Sequence, residues 1–291
     1  MVAATALSAL LAAAAGAAQQ HPAADVPYVP TPASVVDAML KLAAVGPADY
    51  VVDLGSGDGR IVIAAARKHG ARGLGVDIDG ALVSDAQREA RRQGVAGRVE
   101  FHERSLFITD FSRATVLTLY LSHRLMMQLR PRFLTELRPG TRVVSHEFDM
   151  EGWRPDARVT VPVPDKPYGA PSSEVYLWIV PANAAGVWRW RLEGSGAADY
   201  ELALRQTFQM LEGGPSAGGG AWRLEGGKVR GDAITFALAA ATGAVREEYS
   251  GRIEGDAISG KVRFGNGERE WRATRVKRGG IELETAAPAG K

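Results

Sequence analysis

The sequence predicts an α/β protein: a Rossmann-like, mostly parallel seven-stranded sheet, followed by a small antiparallel all-β domain. Three observations carry this. Apolar runs alternate with amphipathic helical stretches between residues 49 and 182. A glycine loop, VVDLGSGDGR at 51–60, closes the first of these runs. Beyond Pro181 the helical period gives way to alternating apolar and polar residues between glycine-rich turns.

Taken in order, VPYVPTP (26–32) is extended, because each proline restricts itself and its predecessor. Thr31 is expected to cap a helix with Pro32 at its first position, burying Val35, Val36, Met39 and Leu40. A strand is expected at 49–54, a helix at 60–69, a second strand at 72–77 and an amphipathic helix at 81–93. A third strand follows at 98–102 and a fourth at 114–121, the latter nearly continuous in apolar residues, as a strand buried on both faces should be. Ser122 starts a helix running to about Leu137, ended by Pro139-Gly140; its Arg124, Arg130, Arg132 and Arg138 read as a solvated surface. A fifth strand spans 141–148. Two more runs, 158–163 and 174–180, follow without a helix between them and read as a terminal hairpin with one antiparallel insertion.

A chain of 291 residues is long enough for two domains. A net charge of +2 gives little electrostatic reason to expect nucleic acid. The absence of cysteine excludes disulfides and thiolate metal sites, and five scattered histidines without H-x-x-x-H spacing argue against zinc. Residues 1–24 are a separate matter. An alanine- and leucine-rich run ends in small residues at Ala15, Ala17 and Ala18, then turns polar at Gln19, which is the pattern of a secretory signal. No Lys or Arg precedes that run, and it is short for a membrane span. It reads as a signal peptide or a weak membrane anchor, implying an exported or membrane-associated protein.

The loop spacing bears on the ligand. The dinucleotide fingerprint G-x-G-x-x-G holds a pyrophosphate on backbone N–H groups at a helix N-terminus. Here Gly55, Gly57 and Gly59 give G-x-G-x-G, Asp53 and Asp58 flank the loop, and Asp77 ends the next strand at the same sheet edge. Carboxylates repel a phosphate but not a cation. A ligand with a nucleoside, an ammonium and a sulfonium suits such a loop, and that describes S-adenosylmethionine. Glycine-rich turns also occur in α/β proteins that bind other nucleotides or none; the whole run DLGSGDG, with Asp77 after it, favours the methyl donor.

Residues 25–182 resemble a class I S-adenosylmethionine-dependent methyltransferase, and are most similar to a group of small lysine methyltransferases of archaea, bacteria and mitochondria. VPYVPTP, DLGSGDGRIVIAAA, GLGVDID, TLYLS and RVVSHEFDMEGW carry the likeness. The resemblance implies that Asp53, Gly55, Ser56, Gly57 and Gly59 line the methionine moiety. It implies that Asp77 accepts hydrogen bonds from both ribose hydroxyls, and that Tyr28 and Thr31 close over the donor. Where many relatives place Asp or Asn against the adenine amino group this chain has Ser105, with Leu106 or Phe107 beside the ring. On the acceptor side, position at the carboxyl edge of the sheet singles out Tyr120, Ser122, His123, His146 and Glu147. Tyr120 could hydrogen-bond or cap an incoming amine; His146 or Glu147 could attract an ammonium or relay its proton. Ser122 equally suits a helix cap, His123 a first helical turn, and His146 a satisfied strand end. The implied reaction is in-line methyl transfer to a lysine amine of a protein partner. A small-molecule acceptor, and an exported binding protein that keeps the fold without catalysis, stay open as alternatives.

From 187 to 278 an antiparallel barrel or sandwich is expected. Arg-Leu/Ile-Glu-Gly recurs at Arg191, Arg223 and Arg252, and GDAI at Gly231 and Gly255. Trp188, Trp190, Trp222 and Trp271 read as aromatic core or as the lining of a ligand cavity. The tail from 279 to 291 is expected to be disordered.

Overall fold

A computed structural model describes residues 28–166, 169–192, 198–215, 222–240, 246–265 and 267–283. The first domain runs α1 (Ala33–Leu42), β1 (Tyr50–Leu54), α2 (Arg60–His69), β2 (Arg72–Asp77), α3 (Gly80–Arg92), β3 (Val99–Glu103), β4 (Val116–Leu119), α4 (His123–Glu136), β5 (Arg142–His146), β6 (Ala157–Pro162) and β7 (Ser172–Ile179). Its seven strands lie in the order β3-β2-β1-β4-β5-β7-β6. The first five are parallel, and β7 runs antiparallel to both β5 and β6. The hairpin is thus as expected, with its second strand as the inserted one. The strand order reverses between β1 and β4, so a crevice opens beyond their carboxyl ends. Apolar layers cover both faces of the sheet. Leu117, Leu119, Met126, Leu129 and Phe133 pack on the α4 side, and Val36, Met39, Ile61, Ala65 and Val144 on the α1–α2 side.

Two local expectations change. Thr31 does not cap α1, whose N-terminus has no side-chain cap; its hydroxyl lies 3.2 Å from His146 Nδ1 instead. Pro32 supplies the start, its carbonyl accepting from the N–H groups of Val35 and Val36. The arginines of α4 are not simply solvated. Arg130 donates to the carbonyls of Met150, Glu151 and Leu283, and Arg132 to those of Leu106, Phe107 and Thr109. Five donors in a rigid fork let an arginine gather carbonyls from several loops.

The second domain is a meander of β8 (Gly186–Leu192), β9 (Ala198–Thr207), β10 (Met210–Pro215), β11 (Trp222–Arg230), β12 (Ala233–Ala240), β13 (Arg246–Glu254), β14 (Ala257–Phe264) and β15 (Gly267–Arg278). Each strand pairs with the next, and β15 returns to β8, so the eight close into a barrel. Closure removes the sheet edges that an open meander would expose. Trp188, Trp190 and Trp271 are buried in its core with Leu202, Ile234 and Val262. The chain after Gly279 is ordered further than expected: β16 (Ile281–Glu282) pairs with β9, and Leu283 packs on the first domain. Residues 284–291, like the signal or anchor expected at 1–24, lie outside the described residues. No helix among the described residues is long and apolar enough to cross a membrane.

The barrel docks through its β9–β10 turn. Phe208 enters the core of the first domain and stacks on Trp153, ring centroids 5.9 Å apart and planes 2° apart. Arg130 lies 5.1 Å from the Phe208 centroid. Gln209 donates to the Arg154 carbonyl, and buried Asp156 pairs with Lys228 and Arg230 of β11.

Candidate active site

The loop between β1 and α2 turns because all three of its alternating glycines adopt positive φ: Gly55 at 77°, Gly57 at 53° and Gly59 at 77°. Side chains are strained in that region, so the G-x-G-x-G spacing is a backbone requirement. Gly59 also needs space, since a Cβ there would lie 2.6 Å from the Phe101 ring. The N–H groups of Gly55 and Ser56 both donate to the Val76 carbonyl at 2.9 Å, tying the loop to the end of β2.

Beside this loop lies a cavity of about 370 Å³ at the carboxyl edge of β1, β2 and β4. Tyr28, Thr31, Asp53, Gly55, Ser56, Asp77, Ser105, Leu106 and Tyr120 all reach its wall, so most of the expected donor set comes together. Gly57 and Gly59 shape the loop instead of facing the cavity: Gly57 lies under the Tyr28 ring and Gly59 against Phe101 and Ala86. Asp77 is aimed by two backbone donors, Gly57 N–H at 2.8 Å and Asp79 N–H at 3.0 Å.

Asp53 carries the electrostatics. It is buried at the end of β1 and accepts from Thr118 Oγ1 at 2.7 Å, its neighbour on β4. Burial pushes its carboxyl up to about 7; the Thr118 bond opposes this, and the charges of Asp77 and Asp58 add to it. A carboxylate held among like charges is stabilised by a cation and not by an anion. Asp58 takes a bidentate grip from Arg60, at 2.9 and 2.6 Å, and Arg60 Nη1 donates to the Thr31 carbonyl at 2.9 Å. That arginine is the main residue missed from the sequence, where Asp58 counted only as a charge. It latches the 28–31 segment onto the glycine loop. Ile78, Leu82, Arg104, Leu121, Arg124 and Leu125 also line the wall. A residue following a strand-end acid, as Ile78 follows Asp77, is the one of these a sequence could flag.

On the acceptor side Tyr120 and Ser122 reach the cavity, whereas His146 and Glu147 do not. His146 is buried behind Tyr120, ring centroids 4.0 Å apart, with Nδ1 beside Thr31 Oγ1 and Nε2 3.0 Å from Ser173 Oγ. Burial lowers its pKa to about 4; the Glu147 charge opposes the shift and Lys166 assists it. Both ring nitrogens are engaged and the ring does not line the cavity, so it stands behind the place where an ammonium or its proton was expected to meet it. Glu147 is held by Lys166, with a backbone φ of 69° that non-glycine residues rarely adopt. His123 is turned away to Glu151, 2.8 Å from its carboxylate, and Ser122 makes no side-chain cap.

A family model, the ANTKMT methyltransferase domain, matches residues 53–157. A protein-lysine N-methyltransferase of Saccharolobus islandicus is 42% identical over 156 residues, which cover 53% of this chain and 94% of that protein. The chain belongs to this methyltransferase family. The residues matched by the family model lie within the first domain, where the sequence motifs are. An adenine nucleotide translocase lysine N-methyltransferase of Mus musculus is 34% identical over 135 residues; the match spans 46% of this chain and 58% of that enzyme. A solved structure described as an RNA methyltransferase of Salinibacter ruber, in complex with S-adenosyl-L-homocysteine, is 51% identical. It covers 53% of this chain and 94% of that one, with a TM-score of 0.49. The methyltransferase fits its donor: a glycine cradle, a backbone-aimed acid at Asp77 and an excess of carboxylates suit an adenosyl group bearing an ammonium and a sulfonium.

Proposed function

We propose that this S-adenosylmethionine-dependent methyltransferase transfers the methyl group to the side-chain amine of a protein lysine. The observation that carries the reading is Tyr120, which stands at the cavity wall with the buried His146 imidazole packed behind it. An aromatic ring at the wall offers its face and edge to an incoming amine.

When bound, the donor supplies an electrophilic methyl carbon on a sulfonium. The chain's own part is alignment and exclusion of water. Asp77 would anchor the ribose, with Ser105 and Leu106 at the adenine. Asp53, Gly55 and Ser56 would hold the methionine end, beneath a lid formed by Tyr28 and Thr31. His146 acts as a positioning residue, fixing the Tyr120 ring and the Thr31 hydroxyl together. Burial and a neighbouring sulfonium both lower the pKa of an incoming lysine, so its proton can leave to solvent without a dedicated base. The lysine acceptor named for the relatives supports the same reading. We further assign 25–182 as the methyltransferase domain, 187–278 as an appended β-domain, and 1–24 as a signal or membrane anchor. Fractionation with N-terminal sequencing tests that last assignment.

The acceptor is tested by incubating the purified chain with methyl-labelled donor and a cell lysate. Label in protein, recovered as methyllysine after hydrolysis, is expected. Label found only in nuclease-sensitive material or in small molecules would remove the lysine reading.

A further inference from the structure

Residues 105–109 follow β3 at the carboxyl edge of the sheet as one short turn. Leu106–Ile108 is a single turn of 3₁₀ helix, a form with poorer hydrogen-bond geometry than an α-helix. Its local bonds all return to Ser105. The Ser105 hydroxyl accepts from Phe107 N–H at 3.3 Å, and its carbonyl accepts from Ile108 N–H at 3.2 Å and from the Thr109 hydroxyl at 2.9 Å. Those bonds fix the shape of the turn and not its place. Ser105, Leu106 and Phe107 line the donor cavity, so the place of the turn sets one wall of that cavity.

That place is set by one side chain. Among the described residues, the hydrogen bonds that reach 106–109 from outside the segment come from Arg132 of α4. Nη1 donates to the carbonyls of Leu106 at 3.2 Å and Phe107 at 2.8 Å, and Nη2 to that of Thr109 at 2.9 Å. The guanidinium is itself oriented on two sides. Glu136, one helical turn on, accepts from Nε at 2.6 Å and from Nη2 at 2.7 Å. Arg132 Cζ lies 4.5 Å from the centroid of the buried Phe111 ring, which meets Phe133 edge-on at 5.7 Å. Two residues back, Arg130 ties the same helix to the carbonyls of Met150 and Glu151 and to the Phe208 ring of the barrel. The turn thus hangs from a fixed arm. A planar fork of donors can serve three carbonyls and a carboxylate together, whereas an ammonium is a compact charge on a flexible stem.

We propose that Arg132 is a positioning residue for the adenine of the donor. It is not part of the cavity wall. By gripping the turn from behind, it sets the distance between Leu106 and the purine, and with it how firmly the base is held. This role rests on the adenine lying against Ser105 and Leu106, as proposed above.

The test is a double-mutant cycle on the full chain, with S-adenosylhomocysteine binding read by calorimetry. Arg132→Lys should weaken binding about tenfold, because small misplacements at a binding wall are that costly. In a Leu106→Ala background the same change should cost less than about threefold, because residues that act through one another are not additive. Arg130→Lys, on the same helix, should lower the melting temperature and leave the affinity unchanged. Should Arg132→Lys not fold, Glu136→Gln, which removes one anchor of the guanidinium, is read in its place with a smaller loss and the same coupling to Leu106. Full affinity in the variant read, an equal loss on both backgrounds, or an equal loss in Arg130→Lys overturns the positioning role. Leu106→Ala alone separates the two readings. Weaker binding there upholds the adenine placement whatever Arg132 does; unchanged binding removes the placement and the role of Arg132 with it.

Discussion

Thr31 and His146 lie 115 positions apart and meet at 3.2 Å, hydroxyl to imidazole Nδ1, in the buried floor behind Tyr120. The contact joins the segment that covers the donor to the strand end beside the acceptor. Thr31→Val, which keeps the shape and removes the hydroxyl, should lower kcat severalfold and raise donor KM, because both sides of the site lose a shared support. Steady-state kinetics check this; a change confined to thermal stability would show that the bond serves folding alone.

Two buried groups give stability opposite pH dependences. The His146 pKa falls from 6.5 unfolded to about 4 folded, so the unfolded chain binds the extra proton between those values. Its contribution is full above pH 6.5 and is lost as pH falls towards 4, by roughly 3 kcal/mol. Asp53 rises from 3.8 to about 7, so its contribution is present below 3.8 and lost as pH climbs to 7. The wild-type profile should therefore be nearly flat across this range. Denaturant melts from pH 4 to 7.5 should show stability rising with pH in Asp53→Asn and falling in His146→Gln.

The same raised carboxyl governs donor binding. A sulfonium or ammonium beside Asp53 favours its ionised form, so donor affinity should increase with pH through about 7, with release of a proton on binding below that point. Calorimetry in buffers of different ionisation enthalpy measures the proton directly. Affinity that is level from pH 5.5 to 8 would place the cation elsewhere.

Asp77→Ala removes the carboxylate aimed by Gly57 and Asp79 N–H. Donor binding should weaken by about 1.5–3 kcal/mol, from lost hydrogen bonds to a charged acceptor. Unchanged affinity would show that the ribose is held by another group.

Phe208→Ala tests the docking of the barrel. The ring is buried against Trp153 and beneath Arg130, and large-to-small changes at such sites cost about 3–5 kcal/mol. The cost should fall on the interface, separating one thermal transition into two in scanning calorimetry. A single transition shifted to lower temperature would mean that the two domains still unfold together.

Local patterns made much of this protein legible. The spacing of Gly55, Gly57 and Gly59 specifies three positive-φ positions, and the apolar run into Asp53 specifies a buried strand; backbone sterics and burial act within a few residues. Helix α2 has the span the apolar spacing predicts, and residues 187–278 meander as their alternation requires. Side-chain roles were harder to read. His146 and Glu147 sit where a strand end should present them, yet the fold buries one behind Tyr120 and pairs the other with Lys166.

The sequence by itself determined the α/β class, the donor loop and its preference for a cationic ligand, because these depend on neighbours in the chain. Only the tertiary structure decided which acids face the cavity, that Arg60 latches Thr31, that Phe208 locks the barrel in place, and that Arg132 gathers the carbonyls of Leu106 and Phe107. Those relationships join residues far apart in sequence, and burial and charge at such contacts are set by packing that no local pattern encodes. The glycine loop could announce a methyl donor; the buried His146 behind Tyr120 emerges only when β4, β5 and the 28–31 segment converge.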